Sequence, residues 1–237
     1  MQKLVYALWR DPRTDATTFF RRIREEIGPA LVELGAHGVQ LNLADADAQG
    51  AAPTFTSCRP QMEAFILLWL DSANSAWRKP FDERIASLGG RVASYVVGAS
   101  QPMRNTRYPV ACGERTPGFV QIALFRRPAQ LDLRAWLDIW LESHTRVAID
   151  TQDTFLYVQN IVARPLAFDA PAYDAIVEEG FPPAAFGNID AFFDAAGDPA
   201  RSEENQRLMR ESCVRFIDYR TLDVVQTSQY VLKTVGA

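Results

Sequence analysis

Lysine, histidine and cysteine are all scarce in this chain of 237 residues. Its three cysteines, Cys58, Cys112 and Cys213, stand far apart and form no CxxC, so neither a disulfide framework nor a cysteine zinc site is expected, and a reducing cytoplasm suits them. The two histidines, His37 and His144, have no metal-ligand spacing and no carboxylate cluster beside them, so no metal is expected. Lys3, Lys79 and Lys233 are the only lysines among 25 basic residues, and 29 acidic ones leave a net charge of -4. That balance offers no footprint for nucleic acid or an anionic membrane, because phosphate binding needs a basic excess on some face. No apolar run exceeds Ala64 to Leu70, far short of the roughly 20 residues of a membrane span. The opening MQKLVYALWRDP meets Asp11 and Pro12 too soon for a signal-peptide apolar region, so no export is expected. GxGxxG, Walker A and nucleophile-elbow motifs are missing, which leaves nucleotide cofactors and serine hydrolysis without support.

What the chain does have is an internal repeat. Ala7-Leu8-Trp9-Arg10-Asp11-Pro12 is answered by Ala123-Leu124-Phe125-Arg126-Arg127-Pro128, and each closes a short apolar run that reads as a buried strand. Asp15 and Asp132 follow at N-cap positions. Helical spacing comes next: Phe19, Ile23 and Ile27 in the first half, and Leu133, Trp136, Leu137, Trp140, Leu141 and His144 in the second. Each half then offers a strand with a central Asn (Asn42, Asn160), a strand followed by a helical stretch, and a last strand carrying Tyr95 or Tyr230. The later helix is capped by Asp198-Pro199 and striped by Met209, Cys213, Phe216 and Ile217. The order strand, helix, strand, strand, helix, strand is the ferredoxin-like unit, twice over. The expected architecture is therefore α+β: a repeat over 1–100, a Pro-rich linker over 101–118 and a second repeat over 119–237, their sheets packed face to face as a pseudo-dimeric barrel.

With those elements in place the chain resembles the EthD-domain proteins of the dimeric α+β barrel superfamily, as a tandem duplication. Trp140 and His144 resemble the family's aromatic and His on a helix. Tyr157 and Asn160 resemble the aromatic and Asn of its second strand, and Asp174, Glu178 and Phe181 its Asp-x-x-x-Glu strand. The first half keeps the frame and loses these groups: Ile27 matches the His, Leu67 the Glu, and Glu63 the Asp. A single reactive site is therefore expected in the second half. The resemblance implies a protein working without a cofactor on a polyketide-like or aromatic compound, and relatives in the superfamily run oxygenation, cyclisation, decarboxylation and haem chemistry on one scaffold.

From the residues themselves, His144 continues an apolar stripe and so points inward, where an imidazole can act as general acid or base; the plain alternative is a core His with one hydrogen bond. Glu178 on an apolar strand needs a partner or a raised pKa, and Glu179 beside it faces the other way. Alignment with the family favours Glu178 as the inward one, orienting His144. Tyr157 and Asn160 fall on opposite faces of an ideal strand, so at most one shares the pocket unless a bulge intervenes. Asn160 is a candidate substrate anchor, while Asn42 in the matching place argues for a structural Asn. Trp140 and Phe181 are read as apolar wall or plain core. The stretch between Phe181 and Arg201 has no equal in the first half and reads as a mobile flap or a packing insert. The reading is a cofactor-independent lyase or cyclase moving a proton on an aromatic or phenolic small molecule, His144 and Glu178 catalytic and Trp140, Tyr157, Asn160, Asp174 and Phe181 around the substrate. The alternatives are cofactor-free monooxygenation of a phenol, and a non-catalytic carrier, of haem through His144 included. A homodimer through outer helices is also open.

Overall fold

In the computed structural model, which describes residues 1–236, eight antiparallel strands close into a barrel. They are β1 (Gln2–Trp9), β2 (Gly38–Leu43), β3 (Ala64–Leu70), β4 (Arg91–Met103), β5 (Phe119–Arg126), β6 (Leu156–Pro165), β7 (Ala175–Phe181) and β8 (Asp218–Lys233). Around the ring the order is β1-β3-β2-β8-β5-β7-β6-β4. Within the first half it reads β4-β1-β3-β2, and within the second β8-β5-β7-β6, so corresponding strands hold corresponding places. Two pairings join the halves, β2 with β8 and β4 with β6.

Closure gives every strand an inner and an outer side, and the period of two sorts its residues between them. Val5, Phe65, Leu67, Tyr95, Ile122 and Ile176 pack together inside the barrel. Their sequence neighbours face out and are covered by helices. In the first half α1 (Ala16–Arg22), α2 (Gly28–Glu33) and α3 (Ser75–Ala86) bury Phe19, Leu31 and Ile85 against Leu4, Tyr6 and Leu68. In the second, α4 (Leu133–Leu137), α5 (Thr145–Thr151) and α7 (Pro199–Cys213) lie over Phe125, Tyr157 and Val177. None of these helices is long and apolar enough to cross a membrane.

Local chemistry explains the helix starts. Asp15 accepts from Thr18 N, Asp132 from Ala135 N and Asp198 from Arg201 N, with Pro199 at the first helical position. One feature escapes the helical spacing: between α1 and α2 the chain makes a π-helical turn at Ile23–Ile27, and between α4 and α5 another at Asp138–His144. The extra residue per turn rotates the apolar face. Trp136, Trp140 and His144 are buried, while Leu133, expected on the same stripe, is 55% exposed. Phe216 and Ile217, expected on the last helix, lie beyond the end of α7 at Cys213, in the turn that enters β8.

The stretch expected as a linker is tied to the barrel. β4 runs on to Met103, and Gly113 N and Thr116 N donate to Val231 O and Gln229 O along β8. The insert after Phe181 folds as a 3-10 turn at Pro183–Ala185 and the short α6 (Ile189–Phe192). It is pinned rather than loose: Gly187 N donates to Ala51 O, Asn205 Nδ2 to Phe193 O and Ser202 Oγ to Asp190. Gly187 turns there with φ 64°, a left-handed conformation that suits glycine.

Candidate active site between sheet and helices

A cavity of about 220 Å³ lies outside the barrel, between the sheet of the second half and its helices. Phe125, Trp140, Phe192 and Phe216 supply its aromatic walls, and Gln121, His144, Gln152, Tyr157 and Glu179 its polar groups. Strand register puts three of these side by side, since Glu179 on β7 pairs with Gln121 on β5 and with Tyr157 on β6. His144 comes from above, as the last residue of the π turn. A cleft of about 310 Å³ between residues 50–53 and the insert adjoins the cavity, sharing Pro53, Ile189 and Phe192 with it.

Electrostatics in this space follow from burial. The Glu179 carboxylate is 7% exposed and accepts one hydrogen bond, from Gln121 Nε2 at 2.9 Å, with no cation beside it. Desolvation therefore disfavours its charge more than that bond repays, and its pKa rises to about 7. Burial also pushes the Tyr157 phenol well up, and the Glu179 charge adds to it. His144 goes the other way: burial, then the Arg215 charge, lower it to about 4. Cys213 nearby is driven up to about 12, chiefly by burial, and stays a thiol.

The His144 ring is held through Nδ1, which lies 2.9 Å from Ser212 Oγ, and Arg215 donates to that same oxygen at 3.2 Å. In the tautomer in which the hydroxyl donates to Nδ1, the neutral imidazole carries hydrogen on Nε2. Trp140 Nε1 is a buried donor and Gln152 Oε1 a buried acceptor, and neither has a partner among the described residues. Buried polar groups are rarely left so, and an ordered water or a ligand is the usual partner.

The first half shows what this space becomes when it is only core. Leu4 and Val39 flank Leu68 in the register in which Gln121 and Tyr157 flank Glu179. Ile27 ends its π turn as His144 ends the other. Those four aliphatic side chains are at most 1% exposed and pack together, where the second half keeps four polar groups around a cavity.

Of the residues singled out in the sequence, His144, Trp140 and Tyr157 line this cavity. Glu178 does not: its side chain points to the other side of the sheet, into the barrel, so the expected His144 and Glu178 pair does not form. There Glu178 meets Lys3 Nζ at 2.7 Å and accepts from Gln40 Nε2 at 2.8 Å and Asn160 Nδ2 at 2.9 Å. Burial works to raise its pKa, but the Lys3 charge and these three donors outweigh it and hold the carboxyl below its ordinary value. Asn160 lies inside the barrel with Glu178, away from Tyr157, and also donates to Ile176 O at 3.0 Å. Asp174 accepts from Arg127 N at 2.8 Å and holds the end of β5, outside the cavity. Phe181 stacks on Phe192 with ring centroids 4.0 Å apart, one layer behind the wall. Glu179 is the residue that the spacing left undecided. Its first-half counterpart is Leu68 as that of Glu178 is Leu67, so the repeat itself did not separate the two.

Among the described residues no three His, Cys, Asp or Glu side chains gather as metal ligands. Haem does not fit here either. At about 220 Å³ the cavity has room for a small aromatic molecule and not for a tetrapyrrole, and the Phe216 ring centre lies 4.5 Å from that of the imidazole.

No protein-family model matches the chain, and no curated relative matches it. Solved structures do. An anthrone oxidase-like protein superposes with TM-score 0.56 at 12% identity, over 100% of this chain and 96% of that one. A candidate monooxygenase of Fusobacterium nucleatum subsp. nucleatum superposes with TM-score 0.50 at 12% identity, over 98% of this chain and 92% of that one. At such identity the likeness shows the fold alone, one closed antiparallel barrel with helices outside it.

Proposed function

We propose that the chain is an enzyme that removes a proton from a hydrophobic, aromatic or phenolic small molecule held in the outer cavity, with Glu179 as the base. The observation that carries this reading is a single buried carboxylate with no cation beside it, poised near neutrality and facing an aromatic-lined cavity. Glu179 takes the proton. His144 Nε2–H and Trp140 Nε1–H are donors for an oxygen that gains charge as the proton leaves, and they act where little water screens them. Gln152 Oε1 is a free acceptor for a substrate hydroxyl. In this scheme His144 donates a hydrogen bond rather than taking a proton, because an imidazole with a pKa of about 4 is a weak base.

The matching strand order of the halves supports reading 1–100 and 119–237 as two ferredoxin-like repeats of EthD type joined through 101–118. Their filled and unfilled outer layers support one working site per chain. Elimination or ring closure after proton loss is the first outcome proposed. A second reading, oxygenation of the deprotonated substrate by O₂, is favoured by the anthrone oxidase-like and monooxygenase names of the two structural neighbours.

The test is incubation of the pure protein with phenols and aromatic ketones, followed by mass spectrometry, in air and without oxygen. Product from wild type and none from Glu179→Gln supports the proposal. Equal turnover by both proteins sinks it. Product only in air selects oxygenation.

A further inference from the structure

The barrel holds a second cavity that the outer site does not use. It measures about 770 Å³, lies within the barrel wall at one end, and is roofed by residues 104–116. Its floor is the Lys3 and Glu178 pair, 2.7 Å apart, with the Lys3 ammonium 4.9 Å from the centre of the Trp69 ring. Nearer the mouth stand Arg104 and Lys233. Gln229 Oε1 accepts from Thr116 Oγ1 at 3.0 Å, which leaves the Gln229 amide nitrogen as a donor on the wall.

Three features of this space need a cause. The space opens to solvent at its mouth and, at about 770 Å³, falls in the range of ligand pockets. A buried ion pair is costly to desolvate and is often replaceable by apolar residues without loss of stability. This chain already has the apolar solution, since Leu67 and Val120 hold the places in the other half that Glu178 and Lys3 hold here. Finally, the charge lining the cavity among the described residues is three cations against one carboxylate, in a chain whose net charge is -4. Beside those cations lie Trp69, Leu156, Val158 and Val231, a wall for an apolar body.

We infer that the mouth of the barrel binds a small organic carboxylate, its head among Lys3, Lys233 and Arg104 and its apolar body against Trp69. Lys3 has three N–H bonds and spends one on Glu178, so it can engage a second carboxylate without breaking the pair. Glu178 sets the limit on charge, for a second anionic group deep in the cavity would face it. The site stands on the opposite side of the sheet from Glu179 and does not depend on the reaction proposed there.

Benzoate is the probe, with benzamide as its uncharged counterpart, each titrated by calorimetry into wild-type protein. Lys3→Met would strand Glu178 and disturb folding, so the discriminating variant is Arg104→Ala with Lys233→Ala, both at the mouth. The expected result is saturable benzoate binding that weakens at least tenfold in this double variant, is unchanged in Glu179→Gln, and has no benzamide equivalent. Trp69→Phe should remove any benzoate-induced change in tryptophan fluorescence. Equal binding of benzoate and benzamide, no saturable heat, or loss in Glu179→Gln with the double variant unaffected would each overturn the inference.

Discussion

Glu178 and Glu179 are consecutive on β7 and lie on opposite sides of one sheet, Glu178 2.7 Å from Lys3 inside the barrel and Glu179 2.9 Å from Gln121 beneath the helices. One carboxylate is neutralised by a cation and two amide donors. The other has a single amide, and the difference in their partners separates a structural charge from a candidate base.

Glu179→Gln tests that difference through stability as well as activity. The Glu179 pKa is raised in the fold from 4.5 to about 7, so the native state binds more protons than the unfolded chain between those values. Its contribution is fully present below about pH 4.5 and is lost as pH rises through about 7, a swing of about 3 kcal/mol. Thermal unfolding of wild type should show this decline, and Glu179→Gln should flatten it, becoming the more stable protein at pH 8. An unchanged profile would mean that Glu179 is ionised and solvated.

The pH dependence of kcat/KM separates Glu179 from His144. A base with a pKa near 7 gives a rate that rises through neutrality, while His144, lowered to about 4, does not titrate there. His144→Ala should lower kcat about 100-fold to 1000-fold, as loss of a hydrogen-bond donor to developing charge does. It should keep the same rising limb. If the limb disappears in His144→Ala, the imidazole is the base.

Ser212→Ala acts on the tautomer. Without the hydroxyl proton, His144 Nδ1 loses its donor and the ring is free to carry hydrogen there. Turnover should fall while the melting temperature moves by a few degrees at most. Ring nitrogen shifts in the NMR spectrum of labelled protein should change from the Nε2–H pattern to a mixture.

Lys3→Met tests the pair inside the barrel. Removing one member of a buried ion pair costs about 3–5 kcal/mol, because the remaining charge is stranded. Lys3→Met with Glu178→Leu, which restores the aliphatic choice made at Leu67, should recover most of that loss in urea unfolding. A double variant as unstable as the single one would show that Asn160 and Gln40, orphaned by the change, dominate.

Asp223 holds the rim of the outer cavity. It is buried and accepts from Ser57 N, Ser57 Oγ, Cys58 N and Tyr173 OH, fastening to β8 the segment that brings Pro53 and Phe55 to the cavity. Asp223→Ala should raise amide exchange and proteolysis at residues 53–60 and weaken substrate binding, leaving the barrel folded. Protection unchanged at those amides would show that apolar contacts alone hold the segment.

Local chemistry was legible in the chain because it acts over a few residues. The caps Asp15, Asp132 and Asp198 and the strands with their alternation follow from spacing and side-chain type, and the strands close into one antiparallel barrel. His144, Trp140 and Tyr157 came out of the same spacing, and they meet at one cavity. What the chain could not show was phase. A one-residue step flips a strand residue to the other side of the sheet, and nothing local distinguishes Glu178 from Glu179 when the matching pair is Leu67 and Leu68. The π turn at Asp138–His144 was hidden too, because a constant α-helical period does not show a wider turn. Only closure of the barrel settled these choices. It placed Lys3, 175 positions away in sequence, against Glu178, and so left Glu179 without a cation among aromatic rings. The sequence determined which elements form and in what order; the tertiary structure decided which carboxylate is paired, because burial and charge depend on neighbours that are close only after folding.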